Sequence, residues 1–179
     1  MTTFPIHTLD TAPAAAQPAL HALQSAFGFI PNIAGAMATS PVLINSLTGL
    51  FQQVHGGSFS EAQIQVLLLT NAVTNRCDWA IAFHRALALK EGIAPADVAA
   101  IRAGGVPACP TGGALSRLAR TLIETRGRLD DADKDAFLAA GFSQDHLLEV
   151  IAVVAASTLT NYSGSVTRPP LEPAFAAHA

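Results

Sequence analysis

An apolar run from Ile64 to Val73, followed by a short break and a second helix-like segment, constrains this fold more than any other feature of the sequence. Seven of the ten positions in the run are apolar and the polar ones are scattered, so no polar face is left for solvent, which is typical of a buried helix. No stretch of the chain alternates polar and apolar residues for long enough to predict a strand. The sequence therefore predicts an all-α fold, a helical bundle.

Start and stop signals divide the rest of the chain into helices. Ser40 followed by Pro41 combines an N-cap with proline at the first helical position, and Ser60 with Gln63 forms a capping box. A glycine- and proline-rich segment, residues 104–113, is predicted to be the main surface loop and contains Cys109. Helices are expected over residues 12–26, 32–39, 41–55, 61–75, 77–92, 95–103, 114–126, 131–141 and 144–162.

The length and the charge content predict one domain that associates with copies of itself. A chain of 179 residues suits a single domain, with residues 1–10 as an arm and residues 168–179 as a peripheral tail. Charged residues make up 13% of the chain, against about 25% in typical soluble domains. So few charges cannot cover the surface of a helical bundle, and obligate subunit interfaces are apolar. We therefore expect a homo-oligomer.

Several classes of partner are not expected. The net charge of −3 and the lack of a basic patch argue against nucleic acid. The first Lys or Arg is Arg76, so a secretory signal is not expected, and the apolar run from Leu147 to Leu159 is too short to span a bilayer. Two cysteines make no disulfide framework, and no metal-binding spacing occurs, so neither a metal nor another cofactor is expected. These features predict a cytoplasmic protein without membrane partners.

Cys77 is the main candidate for a reactive residue, because it opens the helix that follows the apolar run. Free backbone N–H groups at a helix start stabilise an anion, and a thiolate is such an anion. We therefore expect Cys77 to be more reactive than Cys109. The neighbouring carboxylate of Asp78 works against this, since a like charge disfavours the thiolate.

His84 is the second candidate, since positions 77, 80 and 84 lie on one face of a helix. Seven residues at 1.5 Å each separate Cys77 from His84 by about 10 Å along the helix axis, so a water or Gln65 would have to bridge them. Gln65 can orient a water or hydrogen-bond a histidine, but it cannot act as a base. His84 is thus either a proton-transfer group or a hydrogen-bonded core histidine, and the sequence leaves both readings open.

A long helix, a short break and then Cys-x-x-x-x-x-x-His resemble the alkylhydroperoxidase D / carboxymuconolactone decarboxylase superfamily. Two further segments, residues 27–32 and 159–162, are similar to its peroxidase-related members, and the resemblance extends over residues 27–168. The redox members carry Cys-x-x-Cys-x-x-x-His with a glutamate twelve residues before the first cysteine. Here Ala80 stands at the second cysteine position and Gln65 at the glutamate position, so the dithiol activity does not carry over intact.

The resemblance implies an all-helical oligomer, a trimer or a multiple of one, and suggests three functions. The first is a peroxidase that reduces hydroperoxides through Cys77 with an external thiol reductant, assisted by His84 and Gln65. The second is a cysteine-independent enzyme, similar to carboxymuconolactone decarboxylase, that uses His84 on a small carboxylic acid or lactone. A pocket rich in cationic groups would favour this second reading, for which Arg76 and Arg85 are the candidates nearby. The third is a scaffold without catalytic activity.

Overall fold

Nine α-helices and two short 3₁₀ helices make up residues 3–179, the part of the chain described in this computed structural model. No strand occurs among those residues, which confirms the predicted all-α fold. The α-helices are α1 Gln17–Phe27, α2 Asn32–Met37, α3 Pro41–His55, α4 Glu61–Thr74, α5 Asp78–Lys90, α6 Pro95–Arg102, α7 Pro110–Glu124, α8 Asp131–Ala139 and α9 Gln144–Thr167, and the 3₁₀ helices are Ala14–Ala16 and Pro173–His178.

Helix α4 is the centre of the bundle. It packs against α5, α7 and α9, and every position from Ile64 to Ala72 is buried. The core of α6, α7 and α8 lies on one side of α4, while α1, α2 and α3 form a second apolar cluster with α5. Each fully buried leucine or isoleucine contributes about 1.5–3 kcal/mol relative to an exposed one, so Ile64, Leu67, Leu68 and Leu69 make α4 a main contributor to the first cluster.

The predicted helix caps are present. Ser40 Oγ accepts a hydrogen bond from the Leu43 N–H at 3.3 Å, with Pro41 at the first helical position. Ser60 and Gln63 form the reciprocal capping box that begins α4. Because the start of α4 is fixed by this box, Gln65 occupies a defined position on its second turn.

The loop expected over residues 104–113 is shorter than predicted. Helix α7 begins at Pro110, and Cys109 caps it, since the Gly112 N–H donates to Cys109 Sγ at 3.2 Å. A proline at the first helical position together with a side-chain cap outweighs the poor helix propensity of the glycines. This capping role also gives Cys109 a structural function that the loop prediction missed.

Helix α9 runs five residues beyond its predicted end at residue 162. Hydroxyl groups in its last turns donate to backbone carbonyls one turn earlier, Ser163 Oγ to Leu159 O at 2.6 Å and Thr167 Oγ1 to Ser163 O at 2.7 Å. These hydroxyl groups therefore find their hydrogen-bond partners within the helix, and the helix continues past them. The extension carries Gly164 and Ser165 to the start of α5.

By length and composition, α9 is the one helix among residues 3–179 that could cross a membrane. It packs against α3, α4 and α7, and its inward side is buried from Val150 to Gly164. A core helix of a bundle passes the same test of length and hydropathy, and no membrane protein is indicated.

The N-terminal arm, from the first described residues onward, and the C-terminal segment both lie on the bundle. Met1 and Thr2 of the expected arm lie outside the described residues, while the His7 N–H donates to Gly35 O at 3.1 Å. The C-terminal segment, residues 168–179, runs along α5 of its own chain. The name C-terminal strap is used below for these residues.

Candidate functional site around Cys77

The turn between α4 and α5 fixes the position of Cys77. The Cys77 N–H donates to Ala72 O at 3.0 Å and the Arg76 N–H to Val73 O at 3.1 Å, which is the Schellman arrangement that ends a helix. Arg76 occupies the left-handed position of this motif with φ 55°, where glycine is usual. Cys77 is then the N-cap of α5, and its carbonyl accepts from the Ile81 N–H at 2.9 Å.

The Cys77 side chain is packed against α9. It is 3% exposed, and a Cβ placed on Gly164 would lie 2.7 Å from its Sγ. Burial raises the pKa of the Cys77 thiol above its ordinary value, and the Asp78 carboxylate raises it further, while the N–H groups of Ala80 and Trp79 lower it. At Cys77 the cost of burying a thiolate therefore exceeds the stabilisation by the N–H groups of the helix start. The higher reactivity expected of Cys77 relative to Cys109 stays a prediction.

His84 and Gln65 meet each other but not Cys77. Gln65 Oε1 lies 3.1 Å from His84 Nδ1, and both side chains are buried. Since Gln65 Oε1 accepts, His84 Nδ1 carries the hydrogen and Nε2 is left as an acceptor. Burial lowers the pKa of His84 to about 3, with a smaller contribution from His55, so the imidazole is neutral near pH 7.

Cys77 forms part of the wall of a cavity of about 400 Å³ at the junction of α5, α9 and the strap. The lining residues are Arg76, Cys77, Asp78, Trp79, Gly164, Ser165, Arg168 and Pro169. Neither His84 nor Gln65 is among them. The structure thus divides the three candidate residues between two places, a cavity that contains the thiol and a buried histidine–glutamine pair further along α5.

The C-terminal strap builds the outer wall of this cavity. Glu172 Oε2 accepts from Trp79 Nε1 at 3.0 Å, and Glu172 Oε1 accepts from the Asn32 N–H at 2.6 Å. Phe175 packs edge-on against Phe83 of α5, with ring centroids 5.1 Å apart. These contacts hold Arg168 and Pro169, at the beginning of the strap, against the first turn of α5.

Little in the sequence points to the cavity residues that the strap and α9 contribute. Gly164, Arg168 and Glu172 are far from Cys77 along the chain, and nothing in their local pattern points to it. Trp79 stacks on Phe83 with ring centroids 4.9 Å apart, and it also lines the cavity and donates to Glu172.

Other titratable groups have structural roles or lie apart from the cavity. Cys109 is exposed at the start of α7, and His146 completes the cap of α9 through Ser143. Within residues 3–179 there is no group of three His, Cys, Asp or Glu side chains that could hold a metal ion. The residues around Cys77 therefore form the strongest candidate for a reactive site.

Comparison with known proteins agrees with this architecture. The profile of the Carboxymuconolactone decarboxylase family matches residues 43–124, which contain α4, Cys77 and α5. No curated protein sequence matches the chain significantly.

Solved structures share the fold over nearly the whole chain. The structure of an alkylhydroperoxidase AhpD core, an uncharacterised peroxidase-related protein from Ralstonia eutropha JMP134, has a TM-score of 0.83 at 17% identity and covers 96% of this chain and 93% of its own. A peroxidase-related protein from Silicibacter sp. TM1040 has a TM-score of 0.80 at 17% identity, with 97% and 92% covered. The debrominase Bmp8, solved as a cysteine-to-alanine variant with 2,3,4-tribromopyrrole, has a TM-score of 0.81 at 16% identity, with 99% and 95% covered.

The fold is thus that of the alkylhydroperoxidase D-like helical proteins. The resemblance to the alkylhydroperoxidase D / carboxymuconolactone decarboxylase superfamily, first indicated by the residues around Cys77, agrees with the family match over residues 43–124 and with this fold. The structural neighbours include proteins named for different chemistry, so the fold alone does not assign a reaction.

Proposed function

We propose that the protein is a thiol-dependent oxidoreductase that reduces hydroperoxides through Cys77 alone. The observation that carries this proposal is the position of Cys77, a free thiol in the wall of a cavity large enough for a small organic molecule. Its fold neighbours include proteins described as peroxidase-related, which is consistent with redox chemistry.

In the proposed reaction the Cys77 thiolate attacks the distal oxygen of the hydroperoxide. A sulfur–oxygen bond forms, the O–O bond breaks, and the leaving alkoxide takes up a proton to become an alcohol. Ala80 stands where a resolving cysteine would be needed, so an external thiol must complete the cycle. One external thiol reacts with the sulfenic acid to form a mixed disulfide with Cys77, and water is released. A second external thiol then attacks this mixed disulfide, which frees Cys77 and releases the two external thiols as a disulfide.

His84 and Gln65 act as positioning residues in this proposal. Their 3.1 Å hydrogen bond joins the middle of α5 to α4, on which the turn that holds Cys77 is built. Neither side chain lines the cavity, so neither supplies or removes the reacting proton directly. Since burial raises the pKa of the Cys77 thiol, the thiolate fraction and the turnover rate should rise with pH through the mildly alkaline range.

The test is a peroxide-consumption assay with several thiol reductants, comparing wild type with Cys77→Ser and Cys109→Ser. We expect Cys77→Ser to abolish turnover and Cys109→Ser to retain it. Trapping of a sulfenic acid on Cys77, read by mass spectrometry, would identify the intermediate. Peroxide turnover that survives Cys77→Ser would refute the proposal and favour the cysteine-independent reading. Absence of turnover in the wild type with every reductant would favour a scaffold.

Thiol-dependent dehalogenation is a second candidate, and the likeness to Bmp8 is the observation that favours it. Such a reaction replaces a carbon–bromine bond by carbon–hydrogen, releases bromide and a proton, and oxidises two thiols to a disulfide. Bromide release from 2,3,4-tribromopyrrole in the presence of a dithiol tests this directly. Release that requires Cys77 would place halogenated aromatics among the substrates, and no release would leave the peroxidase proposal as it stands.

We also propose that the protein is a cytoplasmic homo-oligomer. The outer face of α9 presents apolar side chains in one stripe, with Leu148, Ile151, Tyr162 and Val166 between 45% and 67% exposed. A second copy of the chain would cover this stripe, and a reducing compartment would keep Cys77 free between turnovers. Light scattering that shows a stable monomer at micromolar concentration would contradict the oligomer.

A further inference from the structure

Two arginines converge on the cavity that contains Cys77. Arg76 comes from the end of α4 and Arg168 from the end of α9, and both line the cavity although they lie far apart in sequence. Within residues 3–179, neither guanidinium forms a salt bridge or a side-chain hydrogen bond. By contrast, the guanidinium of Arg120 donates to Gly104 O at 2.6 Å and to Gly105 O at 2.9 Å.

The charge in the cavity lining is net positive. Asp78 is the single acidic residue among the lining residues, and no ion pair joins it to either arginine. The remaining lining is largely apolar, with Trp79, Pro169 and Gly164 around the thiol. A cavity of about 400 Å³ with two free guanidinium groups at its rim and an apolar wall suits a small organic anion.

The placement of these charges also bears on the acid-using alternative. That reading uses His84 and would be favoured by a pocket rich in cationic groups, for which Arg76 and Arg85 are the candidates. Arg85 instead donates to His178 O of the strap at 3.2 Å, and His84 does not line the cavity. The cationic groups are therefore beside the thiol rather than beside the histidine.

We propose that the Cys77 cavity is an anion-selective substrate site in which Arg76 and Arg168 bind a carboxylate and direct the rest of the molecule to the thiol. Planar guanidinium groups match a carboxylate with two parallel hydrogen bonds, which makes arginine well suited to this task. Together with the proposed function, on which this part of the inference rests, the site predicts that the substrates are hydroperoxides that carry a carboxylate. Binding of the anion does not depend on that reaction.

Trp79 provides a direct readout, because it is the single tryptophan of the chain and it lines the cavity. Its fluorescence is titrated with cyclohexanecarboxylate and, as the neutral match, with cyclohexanecarboxamide. We expect the carboxylate to bind about tenfold more tightly than the amide, corresponding to ~1.4 kcal/mol. Added salt should weaken this preference, since exposed charges are screened.

Variants assign the preference to the two arginines. Arg76→Gln and Arg168→Gln should each reduce the carboxylate-to-amide ratio severalfold, and the double variant should abolish it. Arg126→Gln is the matched control, because Arg126 is also an exposed arginine at a helix end, with φ 58°, and lies outside the cavity lining. Asp78→Asn should increase the ratio, since it removes the one negative charge of the lining.

The outcomes separate this inference from the proposed reaction. Cys77→Ser should keep the anion preference and lose peroxide turnover, because guanidinium groups bind the carboxylate without the thiol. A carboxylate preference without turnover would refute the reaction and retain the site. Equal affinity for acid and amide, or a preference that persists in the double arginine variant, would overturn the site whatever the turnover.

A second measurement uses the two cysteines of the same molecule. Iodoacetate and iodoacetamide alkylate thiols by the same reaction, but only iodoacetate is charged. The ratio of the iodoacetate rate to the iodoacetamide rate is measured at Cys77 and at exposed Cys109, and the first ratio is divided by the second. The quotient should exceed one and should fall towards one in Arg76→Gln and Arg168→Gln. A quotient at or below one in the wild type would contradict an anion-selective cavity.

Discussion

Cys77 Sγ and Gly164 are in direct contact, and no side chain larger than hydrogen fits between them. A Cβ on Gly164 would stand 2.7 Å from the sulfur and 3.1 Å from Ile33 Cδ1. Real carbon–sulfur contacts do not reach this distance, so the glycine is required by the cysteine rather than by backbone conformation. Helix α9 therefore defines how deeply the thiol is buried.

Gly164→Ala should destabilise the protein and displace the Cys77 side chain. Overpacking of a core by one methyl group costs about 1–3 kcal/mol, which urea unfolding can measure. Cys77→Ala should relieve most of this cost in the double variant, because it removes the sulfur that the new methyl group meets.

Gly49→Ala is the control for that substitution. Gly49 lies on the exposed side of α3, and a Cβ there would meet no atom within 4 Å. The exchange should stabilise α3 by about 0.5–1 kcal/mol, since alanine favours a helix interior over glycine. Equal effects at Gly49 and Gly164 would contradict the close contact between Gly164 and Cys77.

The bond between Glu172 and Trp79 should control access to the cavity. The Trp79 Nε1–H and the Asn32 N–H both donate to the carboxylate of Glu172, and Glu172→Gln removes its charge. A hydrogen bond to a charged group contributes about 1.5–3 kcal/mol. We expect the strap to be cleaved faster in limited proteolysis and Cys77 to be alkylated faster.

Glu149→Gln is the matched control for the strap. Glu149 Oε1 also accepts from a backbone N–H, that of Ser58 at 2.7 Å, but on a part of α9 remote from the cavity. This variant should leave proteolysis of the strap and labelling of Cys77 unchanged. Unchanged labelling in Glu172→Gln as well would show that the strap does not limit access.

His84 should make the protein sensitive to acid. Burial lowers the pKa of His84 to about 3 in the folded protein, whereas an unfolded chain has a histidine pKa of about 6.5. Between these values the unfolded chain binds a proton that the folded protein does not. The free energy of unfolding should therefore fall as the pH is lowered from about 6.5 towards 3, by up to about 1.4 kcal/mol per pH unit from this residue.

Urea unfolding at a series of pH values measures that slope. His84→Gln should be less stable near neutral pH, because Gln65 loses its partner, but should show a shallower decline in acid. His21→Gln, at an exposed histidine of α1, should leave the slope unchanged. A decline in His84→Gln as steep as that of the wild type would mean that other groups govern acid sensitivity.

Ala80→Cys should form a disulfide with Cys77 on mild oxidation. Residues three apart at a helix start have Cα atoms about 5 Å from each other, within the range that a disulfide bridges. A count of free thiols after oxidation tests the prediction, with Ala82→Cys as the control on another face of α5. Both thiols remaining free in a folded Ala80→Cys protein would contradict this geometry.

The same variant should gain turnover with a dithiol reductant, since the new cysteine can resolve an oxidised Cys77. Adding Gln65→Glu should not increase this gain, because the side chain at position 65 contacts His84 at 3.1 Å and lies outside the cavity lining, so its carboxylate cannot take a proton from Cys77 directly. The carboxylate should instead raise the pKa of the His84 imidazole. A larger gain with Gln65→Glu than without it would contradict the separation of these two places.

Local signals in the sequence determined most of the helices and the place of Cys77 at the start of one. The capping box of Ser60 and the apolar run beyond it act through neighbouring residues, so their outcome could be predicted without the fold. The predicted start of α7 and the predicted end of α9 were wrong. At these positions side chains form hydrogen bonds with the helix backbone that composition alone does not indicate. Cys109 and Thr167 are examples.

The environment of Cys77 was decided by tertiary structure. Whether a helix start activates a thiol depends on how far the thiol is shielded from solvent. For Cys77 this shielding involves the close contact with Gly164, which lies 87 positions further along the chain (164 − 77 = 87). The convergence of Arg76 with Arg168, and the closure of the cavity by Glu172 on Trp79, likewise join residues from opposite parts of the chain. The burial of a side chain and the electrostatic potential around it depend on every residue packed against it. A local sequence pattern includes only neighbouring residues, so it cannot predict either quantity.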